Sequence, residues 1–87
     1  MTDFSADLDK VIRSRAVSLI GPWPDRLTML VMANESGFHV SLGPVDSQQT
    51  GYYRSRVRAI IADIKLECTL MGLRRRAREA ALRSLEN

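Results

Sequence analysis

The chain has 87 residues and a net charge of +3, a size that suits one domain rather than two. Its single cysteine and single histidine exclude an intrachain disulfide and a zinc site built from several thiolates or imidazoles. No apolar run approaches the ~18 residues of a membrane-spanning helix, and the acidic start does not resemble a signal peptide, so we expect one cytoplasmic domain over residues 1–87, without metal, cofactor or membrane contact.

The first predicted element is a helix over about residues 3–20, in which apolar residues recur at helical spacing. Thr2 is the expected cap, and Gly21 and Pro22 end the helix. Arg15 falls inside the apolar arc, where we expect an ion pair or a snorkelling side chain, with a contact to a partner as the alternative. The residues of the arc are Phe4, Leu8, Val11, Ile12 and Leu19.

Trp23 lies between Pro22 and Pro24 and therefore cannot lie deep inside a regular element. We expect its indole to cover an edge of the core. The alternative is an exposed anchor for a partner, since tryptophan is a frequent hot spot of protein interfaces.

Two apolar runs separated by a turn predict a β-hairpin over about residues 27–42. The first, 27–33, is uncharged and is expected to be buried on both faces. The turn 34–37 is Asn-Glu-Ser-Gly, and the second run, 38–42, alternates. Phe38, Val40 and Leu42 would face the core, and His39 and Ser41 would face solvent. Because a lone hairpin has two free edges, we expect helices, and also a second chain, to cover it.

A long helical region of about residues 47–85 follows, with Asp46 and Gln49 in a capping arrangement. The predicted class is therefore α+β in the order α-β-β-α. An unbroken helix of this length would span nearly 60 Å, about twice the width expected of so small a domain. The alternative is a break near Gly72 that folds the helix back.

This helix carries two apolar stripes on nearly opposite sides. The stripe expected to face the core comprises Tyr53, Val57, Ile60, Ile61, Ile64, Cys68 and Met71. The other, named here the Leu/Ala stripe, comprises Ala59, Ala62, Leu66, Leu70, Leu73, Ala77 and Ala80. With an unbroken helix one chain can cover only one of them, so the Leu/Ala stripe predicts a homodimer or a larger assembly. If the helix folds back at Gly72, the same chain could cover both stripes, which weakens this argument. A basic stripe between the two contains Arg54, Arg58, Lys65, Arg76 and Arg83.

Charge is concentrated in residues 51–87, where nine basic and four acidic side chains give +5. The candidate partner- or anion-binding residues are Trp23, Tyr52, Arg54, Arg56, Arg58, Arg74, Arg75, Arg76 and Arg78.

No catalytic constellation or phosphate-binding loop is present, which favours a non-enzymatic function. The predicted function is a homo-oligomeric protein-binding module that engages or inhibits a larger, acidic protein, of the kind a phage or mobile element would encode. One alternative is nucleic-acid binding through the basic, tyrosine-containing stretch 52–58. Another is capture of a small anion, such as a nucleotide, between arginines at a subunit interface.

Overall fold

The computed structural model describes residues 3–86. Helix α1 spans Phe4–Ile20, strand β1 Thr28–Asn34, strand β2 Gly37–Gly43 and helix α2 Gln48–Glu86. This confirms the predicted α+β class and its α-β-β-α order. The strands pair as an antiparallel hairpin, and within the described residues each has the other as its only strand neighbour.

Helix α1 begins at a side-chain cap and ends at a glycine. The carboxylate of Asp3 accepts a hydrogen bond from the amide of Ala6 at 3.2 Å. The cap is therefore Asp3 and not Thr2, which lies outside the described residues. At the other end, the amide of Gly21 donates to the carbonyl of Val17 at 3.1 Å.

The buried side of α1 is narrower than the predicted arc. Val11 and Leu19 are exposed, Leu19 by 74%, and Phe4 is exposed by 42%. The prediction was wrong for these three because only one row of side chains faces both the hairpin and α2. The residues of this row are four apart: Leu8, Ile12, Ala16 and Ile20.

Two glycines should respond oppositely to alanine. Gly21 has φ +122°, a region that side chains with a Cβ rarely adopt. Gly72 lies inside α2, where a Cβ would meet nothing within 4 Å. We expect Gly21→Ala to lower the free energy of unfolding by about 1–2 kcal/mol. Gly72→Ala, the matched control, should raise it by about 0.5–1 kcal/mol. Urea denaturation measures both, and equal changes would contradict the conformational argument.

The hairpin turn and the second strand agree with the predictions. Asn34 Oδ1 accepts hydrogen bonds from the amides of Ser36 and Gly37, at 2.9 and 3.1 Å, and so stabilises the tight turn. The predicted alternation along β2 is confirmed. Its inward residues, partly buried against the core, are Phe38, Val40 and Leu42.

Strand β1 is buried on one face only, which corrects the prediction that both faces are buried. Leu30 and Met32 are each 62% exposed, whereas Val31 belongs to the core. In the register, Leu30 lies opposite Ser41 and Met32 opposite His39, so these four side chains share the outer face of the hairpin. The core residues of both helices pack against the other face, and the outer face stays open.

Helix α2 begins after a different cap from the one predicted. The amide of Thr50 donates to Ser47 Oγ at 3.1 Å, so Ser47 and not Asp46 is the cap. Asp46 accepts hydrogen bonds from Arg26 and from the hydroxyl of Thr50. The bond from Arg26 is the main reason that the pKa of Asp46 is lowered.

The core lies where the first half of α2 meets α1 and the inner face of the hairpin. Tyr53 is buried there, and its hydroxyl donates to the carbonyl of Gly21 at 3.0 Å. Burial raises the pKa of the Tyr53 phenol. The predicted core stripe is confirmed only as far as Ile64, because Cys68 and Met71 are exposed. Its buried members are Tyr53, Val57, Ile60, Ile61 and Ile64.

Trp23 and Arg15 both take the structural roles expected of them. The Trp23 indole packs at the core edge, donates to the carbonyl of Leu27 at 2.8 Å, and meets the ring of Tyr53 edge-on. Arg15 forms a two-pronged ion pair with Glu67, with N–O distances of 3.2 and 3.3 Å.

Helix α2 continues through Gly72 without a break. The described chain therefore measures 61 × 26 × 18 Å, its long dimension close to the length of the helix. Roughly 33 Å of α2, from Lys65 to Glu86, lies beyond the last buried core residue.

Candidate functional site

A groove of about 450 Å³ lies between strand β2 and the first half of α2. It is named the basic groove here, because its charged side chains come from the basic stripe of α2. The residues that line it are His39, Val40, Ser41, Leu42, Arg54, Arg58, Ile61, Ala62 and Lys65.

Helix periodicity brings the three cations of the basic groove together. Arg58 and Lys65 follow Arg54 by four and eleven residues, so all three project from the same side of α2. No acidic residue lines the groove. The ion pairs found within residues 3–85 are Arg13–Asp9, Arg15–Glu67 and Arg26–Asp46, and none of them involves these three cations.

Arg54 has a buried donor without an acceptor. Its Nε is shielded from solvent and has no hydrogen-bond partner within residues 3–85. A buried, unsatisfied donor on a charged group is costly, and a ligand acceptor that reached it after a rotation of the Arg54 side chain would remove that cost.

The predicted stretch 52–58 does not form one surface. Tyr53 turns into the core. Tyr52 and Arg56 pair with each other, with Arg56 Nε donating to the Tyr52 hydroxyl at 3.2 Å and the guanidinium carbon 5.2 Å from the ring centre. Only Arg54 and Arg58 reach the basic groove.

The C-terminal arginines are also divided between surfaces. Arg75 and Arg76 line a wide recess of about 760 Å³ beside the hairpin turn. Arg74 and Arg78 are exposed on the projecting part of α2. Trp23, already engaged at the core edge, contributes to none of these basic surfaces.

The Leu/Ala stripe is exposed along its whole length. Leu66, Leu70 and Leu73 remain 59%, 46% and 54% exposed, and the four alanines are exposed as well. The expectation that one chain covers only one face of α2 is confirmed, while assembly through the other face stays a prediction.

The strand side of the basic groove was not predicted. His39 was interpreted as an ordinary exposed residue, yet it lines the groove with Ser41, and His39 Nε2 lies 3.4 Å from Ser41 Oγ. Alternation along β2 places both on its outer face, but no sequence signal states that α2 runs beside this strand. Lys65 was assigned to the basic stripe without a role in binding.

The described residues contain neither a candidate metal site nor a candidate membrane-spanning helix. Within residues 3–86, no three His, Cys, Asp or Glu side chains gather where they could hold a metal ion. None of the described helices is both long enough and apolar enough to cross a membrane.

Comparisons with protein-family models, with curated proteins and with solved structures found no match to this chain.

Proposed function

We propose that this protein is a cytoplasmic, non-enzymatic binding module that forms a homodimer through the Leu/Ala stripe and engages a larger, acidic protein. The observation that carries the proposal is the exposed stripe on a helix that projects beyond its own core. Fully burying a leucine contributes roughly 1.5–3 kcal/mol, so a continuous row of leucines favours association.

The order of residues in the stripe favours a second copy in antiparallel orientation. The large residues lie at the centre and the alanines at both ends, arranged almost symmetrically about a point between Thr69 and Leu70. A two-fold axis at that point would place Ala59 opposite Ala80 and Leu66 opposite Leu73. Self-complementarity of this kind is what a symmetric dimer interface requires, and the small alanines allow close approach of the helices.

Charges beside the stripe support the same orientation. Asp63 and Arg74 lie on the same flank of α2 and on either side of the proposed axis, about 10 and 7 Å from it along the helix. An antiparallel pair would therefore bring Asp63 of each copy near Arg74 of the other. Neither residue is in an ion pair found within residues 3–85.

The acidic partner is proposed from charge. The basic groove and the C-terminal arginines leave a largely basic surface beside the Leu/Ala stripe. Nucleic-acid binding is less well supported, because Tyr52 and Arg56 point away from Arg54 and Arg58 and cannot form one stacking surface with them.

The mass of the protein in solution tests the proposal directly. Multi-angle light scattering at tens of micromolar should give twice the chain mass of 9.8 kDa. A monomer throughout this range would overturn the proposed dimer.

A further inference from the structure

We propose that the basic groove binds an extended acidic segment of a partner protein, which pairs with the free edge of strand β2. This proposal rests on the proposed function in one respect, namely that the partner is a protein. It adds the site at which that partner binds and the extended conformation of the segment that binds there.

The groove borders the edge of β2 rather than one of its faces. Four consecutive residues of the strand, 39–42, line it, although their side chains alternate between the two faces of the hairpin. Only the strand edge brings consecutive residues to one surface. Within the described residues β2 has β1 as its sole strand neighbour, so its other edge has backbone donors and acceptors that an added strand can pair with.

Strand β2 and helix α2 run alongside each other in opposite directions. Near the turn, the ammonium of Lys65 lies 5.4 Å from the ring centre of Phe38. At the other end, shortly after β2, Val45 reaches the backbone of Gly51, with a methyl group 3.2 Å from where a Cβ would lie. A strand added to the edge of β2 would therefore extend along the row of cations.

The spacing of the first two cations matches one face of an extended chain. Arg54 and Arg58 are separated by roughly 6 Å along the helix, and Arg54 and Lys65 by roughly 16 Å. Side chains on one face of a strand recur about 6.6, 13 and 20 Å apart, so carboxylates at alternate positions of a peptide would meet Arg54 and Arg58. The carboxylate about 13 Å along would lie within about 4 Å of Lys65 along the axis, a distance that the long, flexible lysine side chain can bridge.

Arg54 supplies the strongest single contact. Its Nε is a buried donor without an acceptor in residues 3–85, and a rotation of the side chain that exposes it would let a carboxylate accept from Nε and a terminal nitrogen of the guanidinium together. The groove walls contain no acidic residue that would compete for this position.

The first experiment measures binding of a fluorescein-labelled octapeptide, four Glu-Thr repeats, by fluorescence anisotropy at 50 mM NaCl. The peptide should bind, and Arg54→Glu should weaken it by about tenfold or more. Arg83→Glu is the matched control, because it makes the same charge change on the same stripe outside the groove. Absence of binding up to millimolar peptide, or equal weakening by both variants, would overturn the proposal.

The second experiment separates edge pairing from simple charge attraction. The same peptide with alternate backbone nitrogens methylated keeps its charges but loses strand hydrogen bonds. It should bind about tenfold more weakly, and the unmethylated peptide should shift the amide resonances of residues 39–42. Equal binding of the two peptides would overturn pairing with β2. Tighter, Arg54-dependent binding of an eight-nucleotide thymidine oligomer would overturn an acidic peptide as the occupant.

Peptide binding in the basic groove and dimer formation through the Leu/Ala stripe can be tested separately. Ala62 belongs to both the basic groove and the Leu/Ala stripe, but Leu70 does not line the groove. A Leu70→Glu chain should therefore still bind the peptide within about twofold of the unsubstituted chain. Peptide binding by an unsubstituted chain that is monomeric in light scattering would overturn the dimer alone. A dimer that does not bind the peptide would overturn the groove assignment alone.

Discussion

Leu70→Glu is expected to convert the proposed dimer into a 9.8 kDa monomer. Leu70 lies next to the proposed two-fold axis, so each dimer would bring two of these side chains close together. Substitution by glutamate would remove two buried leucines and place two like charges at the centre of the interface. We expect the dissociation constant to rise by about a hundredfold or more. Light scattering over a concentration series measures it.

Met71→Glu is the matched control for this substitution. Met71 is the next residue along α2 and is 69% exposed. It lies about 100° around the helix from Leu70, in the other apolar stripe, outside the proposed interface. The substitution makes the same change of charge and nearly the same change of apolar surface, yet should leave the dimer intact. Circular dichroism should show both variants folded. If Met71→Glu dissociates the dimer while Leu70→Glu does not, the interface is on the other face of α2.

Ile12→Ala is expected to lower the free energy of unfolding by about 2–5 kcal/mol. Ile12 is fully buried where α1 meets the hairpin and α2. Its truncation leaves a cavity among side chains from several elements of a core that has nine buried apolar residues in the described chain. Such a loss is a large fraction of the ~5–15 kcal/mol typical of a folded protein. Urea denaturation followed by circular dichroism measures it.

Val17→Ala is the control for the core substitution. Val17 lies on the same helix but is 48% exposed, so its truncation should change stability by less than about 0.5 kcal/mol. Because dimerisation would add to apparent stability, both variants are best compared in the Leu70→Glu background at equal concentration. Similar losses for the two variants would contradict the position of the core.

Local patterns were sufficient to predict the elements. Helical spacing, the Asn-Glu-Ser-Gly turn and the two-residue alternation of 38–42 predicted the α-β-β-α order and the inward side of β2. They also identified the two apolar stripes of α2. The stripe predicted to face the core is buried as far as Ile64, and the Leu/Ala stripe is exposed. These features depend on neighbours within one or two turns of the chain, so the sequence contains the information that determines them.

Placement of the elements against one another was decided only by the tertiary structure. Both helices supply core residues to one face of the hairpin, which leaves Leu30 and Met32 exposed although their run is as apolar as a buried strand. The structure also places the cap of α2 at Ser47 and continues the helix unbroken through Gly72. It also joins Arg54, Arg58 and Lys65 to the edge of β2. Contacts between residues more than ten positions apart depend on how elements dock, and no local periodicity encodes that geometry.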